Sequence, residues 1–197
     1  GLGDVYKRQV HIPEIDTWFN LSIPLRLNTN ISSMNIQFIT ENIKDINIYI
    51  DKIYIRSVDP DVIPDIYMLF DPSKLSVKRG IIYGGVIRHF PVNLTGYLWF
   101  GPYIDLRPGN YTVIYWIKIN NYTQNHILDV DISSDFGKEV YVVKEISSKE
   151  ILLHKWFRIT ITLNTTNTLR DVEFRGYIWD RYSDVELLFI ELYGWYK

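Results

Sequence analysis

The stretch "GYLWFGPYIDLRPGNYTVIYWIKI", residues 96–119, decides the fold. It reads as two strands, 97–105 and 111–119, around the turn text "RPGN". Pro presets φ and Gly accepts φ > 0, so Pro108 and Gly109 are expected to make a type II turn. Trp99 and Trp116 fall inside these strands and are expected to be packing residues. Outward from this hairpin a period of two continues in both directions. In "WFNLSIPLRL", Phe19, Leu21, Ile23, Leu25 and Leu27 take one face. Asn20, Ser22 and Arg26 take the other, the mark of a strand with one face buried. Further strands are expected at 34–39, 46–56, 81–89, 127–132, 139–144, 156–163, 172–179 and 185–193. "SSDFGK" and "NTTNT" supply turns between them. No segment carries a helical period. Many short strands with Gly, Pro and Asn turns specify an all-β sandwich.

Composition bounds the function. The chain has 197 residues, 47% of them hydrophobic and 15% aromatic, enough for a substantial core. Its net charge is −2 with acids and bases interleaved, which argues against a nucleic-acid partner. No apolar run approaches the length of a membrane span. The absence of cysteine excludes disulfides, thiolate zinc sites and cysteine nucleophiles. Six N-x-S/T triplets stand at Asn20, Asn30, Asn93, Asn110, Asn121 and Asn164. Chance placement gives roughly one or two, so they are candidate glycosylation sites. Many sequons without cysteine suit an extracellular, archaeal-type surface glycoprotein.

The chain carries an internal repeat. "WFNLSIPLRL" at Trp18 and "WFRITITLNT" at Trp156 stand 138 residues apart, with the same Trp-Phe start and the same apolar phase. At that offset Met34 meets Val172 and Ile36 meets Phe174. One residue of slip then aligns "IYIDKIYI" with "VELLFIEL". Three segments follow. Residues 1–9, "GLGDVYKRQ", match the translation of a sequencing adapter and are set aside. Residues 10–58 are expected to be the C-terminal strands of a truncated upstream module. Residues 59–197 are expected to be a complete second one, opened by the proline-stiffened "DPDVIPD".

The run "GPYIDLRPGNYTV" resembles the hairpin of galactose-binding-like jelly rolls, the fold of many carbohydrate-binding modules on prokaryotic surface proteins. The later "LDVDISSDFGKEV", the Trp-led strand and "VEFRGYIW" fit the same pattern. The resemblance implies a non-catalytic, cofactor-free module whose partners are glycans or neighbouring surface-protein modules. Some members hold a structural Ca²⁺ through an acidic residue in the last strand. Asp51 stands there in the first copy and Leu188 in the second, so that site is not supported in the complete module.

No catalytic constellation is present in the sequence. His11, His89, His126 and His154 show no metal spacing, and there is no G-x-S-x-G. The carboxylates Asp129 and Asp131 share one strand face and are read as a solvated edge. In an up-and-down sandwich, loops 90–95, 120–125, 145–155 and 180–183 gather at one end. That end is rich in aromatics, which stack on sugar faces, with charged neighbours to bond the hydroxyls. The candidate ligand-binding residues are Trp179, Tyr182, Asp180, Arg181, Tyr122, His89 and Arg88, with "WDRYSD" as the leading loop. Trp179 lies in the polar phase with Glu173, Arg175 and Tyr177 and should face outward. Trp18 and Trp156 are expected to close the core at strand starts. The competing expectations are a structural spacer of a surface layer or filament, and an accessory domain of a glycosyltransferase or glycoside hydrolase.

Overall fold

A computed structural model of the chain describes residues 64–197. The adapter-like residues 1–9, the tail 10–58, the first copy of the repeat, and Asn20, Asn30 and Asp51 lie outside the described residues.

The strands are β1 (Ile66–Phe70), β2 (Ser76–Val77), β3 (Ile81–Tyr83), β4 (Val86–His89), β5 (Gly96–Phe100) and β6 (Pro102–Leu106). They continue with β7 (Gly109–Asn121), β8 (His126–Ser134), β9 (Glu139–Ser147), β10 (Trp156–Thr165), β11 (Leu169–Ile178) and β12 (Asp184–Tyr196). Two antiparallel sheets result. Sheet A runs β10-β7-β12-β4-β3, with β1 also paired to β12. Sheet B runs β2-β5-β11-β8-β9, with β6 also paired to β11. The described residues form a jelly-roll β-sandwich.

Alternation builds the core. Val113, Tyr115, Ile117 and Ile119 of β7 point inward, against Val130 and Ile132 of β8 and Val172 and Phe174 of β11, all fully buried. Tyr115 crosses the sandwich and donates its hydroxyl to the Asp131 carbonyl at 2.8 Å. That bond satisfies the one polar atom of a buried ring, and burial pushes its pKa well up. β12 reads as a near-continuous apolar run because a bulge interrupts it. Leu187 pairs with Ile117, Phe189 with Trp116 and Ile190 with Tyr115, leaving Leu188 as the extra residue. The position compared with Asp51 is therefore a buried bulge leucine.

Several local expectations need correction. The single strand expected at 81–89 is a hairpin, β3 to β4, turned by Gly84 and Gly85 at φ 58° and 80°. Consecutive positive φ values are what a two-residue hairpin turn demands, and glycine adopts them without strain. The strand expected at 97–105 is two, broken at Gly101, and both pair with β11. Gly109 is not in the left-handed region, so no type II turn forms there. A Cβ on it would lie 2.6 Å from the Trp195 carbonyl, and close approach is its role. Asp129 and Asp131 are not on an edge, because β8 lies between β11 and β9. Trp99 is fully buried as expected, over Gly176, where a Cβ would lie 2.3 Å from its ring. Trp116 instead lies on the outer face of sheet A and donates its indole N–H to Glu191. Trp156 pairs with Lys118, whose Nζ sits 4.9 Å over its ring, so it too faces out.

Candidate functional site

Register lays out the outer face of sheet B. Glu145, Asp129, Tyr177 and Tyr97 form one row across β9, β8, β11 and β5. Val143, Asp131 and Arg175 form the next row, and Ser133 and Glu173 sit side by side in the third. A solvent-facing sheet side is ordinarily exposed. Here Asp131, Ser133, Glu173 and Arg175 are each less than one-tenth exposed.

Arg175 and Asp131 close on each other as a fork. Nε lies 2.7 Å from Oδ1 and Nη2 3.1 Å from Oδ2. The guanidinium carbon stands 4.7 Å over the Tyr97 ring, and Nη1 donates to the Gly137 carbonyl. Burial raises the pKa of Asp131, and Arg175 pulls it only partly back. Glu173 is different. Among the described residues its carboxylate accepts no hydrogen bond and joins no ion pair within 4 Å. Burial raises its pKa as well, against the pull of Arg175.

Glu173 and Arg175 line an open pocket of about 200 Å³. Tyr97, Phe100, Tyr103 and Phe136 wall it, and Lys78 stands exposed beside it. The β8–β9 turn and the start of β6 bring two of these walls together. Phe136 and Tyr103 lie 5.6 Å apart, and both have left-handed backbones, at φ 56° and 64°. Non-glycine residues in that region cost about 1–3 kcal/mol each, and such strain clusters at functional sites.

Trp179 lies past the end of β11, on the same face. It is 43% exposed, yet its indole N–H donates to Asp129 Oδ2 at 2.7 Å. The ring lies 4.8 Å from Tyr177 and 5.2 Å from His126. His126 Nε2 takes the other Asp129 oxygen at 2.7 Å. One aspartate thus orients two rings. Tyr177 also meets Tyr97 edge-on at 5.1 Å, so a line of rings leads from Trp179 to the pocket.

The four loops expected at one end do meet there. Val92 N–H donates to the Arg181 carbonyl, Ser148 N–H to Asn125 and His154 N–H to Ile119. Most of the charged groups among them are occupied. Asp180 is fully buried and accepts from the Thr123 backbone and hydroxyl and from the Gln124 and Tyr182 amides. Burial pushes its pKa up, but those hydrogen bonds outweigh it and leave it lowered. His89 is fully buried and donates Nδ1–H to the Ser183 carbonyl, and burial lowers its pKa. Arg88 forks onto Asp184 at 2.9 and 2.6 Å. Arg181 donates to Asn93 at 2.6 Å. Tyr122 packs against the core. Tyr182, 44% exposed, and Trp179, 43% exposed, remain open. Asp129, Tyr97 and Glu173 were not among the residues expected to bind. The polar phase of "VEFRGYIW" carried the signal, since it places Glu173, Arg175, Tyr177 and Trp179 on one face.

The four described sequon asparagines, Asn93, Asn110, Asn121 and Asn164, are all exposed. Asn110 and Asn121 lie on β7 and Asn164 on β10, all in sheet A, and Asn93 follows β4. Among the described residues, no cluster of three His, Cys, Asp or Glu is placed to hold a metal.

No family model and no curated protein matches the chain. Solved structures do. A xylan-binding module of family CBM15 is 9% identical with a TM-score of 0.44, covering 66% of this chain and 98% of its own. A CBM4 module is 14% identical with a TM-score of 0.43, covering 66% of this chain and 88% of its own. An arabinose-bound α-L-arabinofuranosidase is 13% identical with a TM-score of 0.43, and this chain covers 23% of its length. At these identities and scores the likeness carries neither ligand nor mechanism.

Proposed function

We propose that this chain is a non-catalytic carbohydrate-binding module, extracellular in setting, that holds a glycan against the outer face of sheet B. The observation that carries the reading is Trp179, a large ring kept at the surface and held still. An exposed tryptophan normally loses rotamer freedom on binding, and hydrogen bonding to Asp129 with a tilted ring contact to Tyr177 has already restricted it. A flat indole offers the apolar C–H face of a sugar a stacking partner. Glu145, exposed in the same row, supplies an acceptor for hydroxyls. Three of the four described sequon asparagines, Asn110, Asn121 and Asn164, lie on sheet A, and Asn93 lies against Arg181.

A glycan array probed with the full chain tests this. The expected result is binding to a defined set of glycans that Trp179→Ala reduces at least tenfold. Binding to no glycan, or binding that Trp179→Ala leaves intact, would overturn the reading.

A further inference from the structure

The pocket at the other end of the ring line holds a charge with no partner. Arg175 is neutralised by Asp131 through two short hydrogen bonds. Lys78 is exposed and needs no partner beyond water. Glu173 is only 3% exposed and has neither hydrogen bond nor ion pair among the described residues. A carboxylate so little exposed, with only the solvent of the open pocket to meet it, is disfavoured in its charged form. Lys78 also lines the pocket but is exposed to water, so Glu173 is the lining charge that is both little exposed and unpaired, and the group that would complement it is a cation.

The walls fit the same partner. Phe100, Tyr103 and Phe136 line the same pocket as Glu173, together with Tyr97, whose face Arg175 already covers. Aromatic faces attract cations, and an aromatic cage with an acid is a recurrent way to hold an ammonium group. Size narrows it further. Pockets for drug-sized small molecules enclose about 300–1,000 Å³. The volume here, about 200 Å³, takes one ring. The left-handed backbones of Tyr103 and Phe136 hold two of the walls in place at some conformational cost.

From this geometry we infer that the pocket receives a terminal sugar ring bearing a free ammonium group, with that group against Glu173. The inference rests on the glycan reading and gives the ring line a direction. Trp179 and Tyr177 stack the chain of the glycan, and the pocket selects its amino-bearing end.

The test is calorimetric titration of the full chain with glucosamine, N-acetylglucosamine and glucose, followed by the same series on Glu173→Gln. A hydrogen bond to a charged partner corresponds to about a tenfold or greater preference. Glucosamine should therefore bind at least tenfold more tightly than the other two, and Glu173→Gln should level the three. Equal affinities for all three sugars, or a preference that survives Glu173→Gln, would overturn the proposal. Should Glu173→Gln fail to fold, the wild-type comparison of free with acetylated amine decides alone. The two readings fail differently. Glycans that bind through Trp179 without regard to an amine sink only the pocket's selectivity. Glucosamine binding in the pocket, with oligosaccharides that gain nothing from Trp179, sinks only the stacking surface.

Discussion

Asp180 at the loop end and Glu173 on the face of sheet B are both acidic, both buried and only seven residues apart. Asp180 accepts four hydrogen bonds from two loops, and its pKa is lowered. Glu173 accepts none among the described residues, and its pKa is raised. The first carboxylate stabilises the fold, and the second costs it stability. An aromatic-rich loop cluster looked like the place for a ligand, but its charges are committed to holding the loops together. The sheet face keeps its unmet capacity.

The sharpest way to probe the sheet face is to remove Arg175. Arg175→Leu leaves Asp131 buried beside Glu173 with no counter-charge, and breaking such a pair costs about 3–5 kcal/mol. Urea denaturation monitored by tryptophan fluorescence would measure it. A loss under 1 kcal/mol would mean that water reaches Asp131 freely and that the face is not the closed polar layer described. At the loop end the corresponding change is Asp180→Asn. It removes a charged acceptor from four donors and is expected to cost about 2–3 kcal/mol at neutral pH.

Acid separates the two carboxylates by sign. The lowered pKa of Asp180 gives stability that is complete above its ordinary value, about 4, and is lost as pH falls through the folded value. The deficit of Asp180→Asn should therefore shrink on acidification. Glu173 has a raised pKa, so its ionised form is disfavoured in the folded state and stability falls as pH rises through that value. Glu173→Gln should be more stable than wild type at neutral pH, by about 1 kcal/mol, and lose that advantage below about pH 4. Melting temperatures from pH 3 to 7 read both. A Glu173→Gln variant less stable than wild type at pH 7 would show that the carboxylate has a stabilising partner after all.

Much of the sandwich was readable from alternation, because one face of each strand had to be apolar. Tyr111 to Ile119 lie inward at every second residue, as a half-buried strand requires. The breaks were less readable, since they rest on backbone geometry. Gly84 and Gly85 look like permissive letters inside a strand until their φ values make a hairpin. The bulge at Leu188 turns alternation into a continuous apolar run. The outward phase of Trp179 followed directly from its strand. Its partner Asp129 did not, because "solvated" and "buried" are the same letter on a strand's polar face. What decides between them is which side chains arrive from elsewhere in the chain, Trp179 at Asp129 and Arg175 at Asp131.

The smallest expected effect is the most discriminating. Tyr182 is 44% exposed, and its hydroxyl has no hydrogen-bond partner among the described residues. Its ring is just over half covered, so Tyr182→Ala should cost no more than about 1 kcal/mol. Binding is therefore compared at a temperature where both variants are folded. If the glycan lies along Trp179 and Tyr177, Tyr182→Ala should weaken it less than threefold, against the tenfold loss for Trp179→Ala, measured on the same glycan. The reverse order would return the site to the loop end. It would also give the aromatic side of that cluster a role that its charged residues, tied to their own loops, do not share.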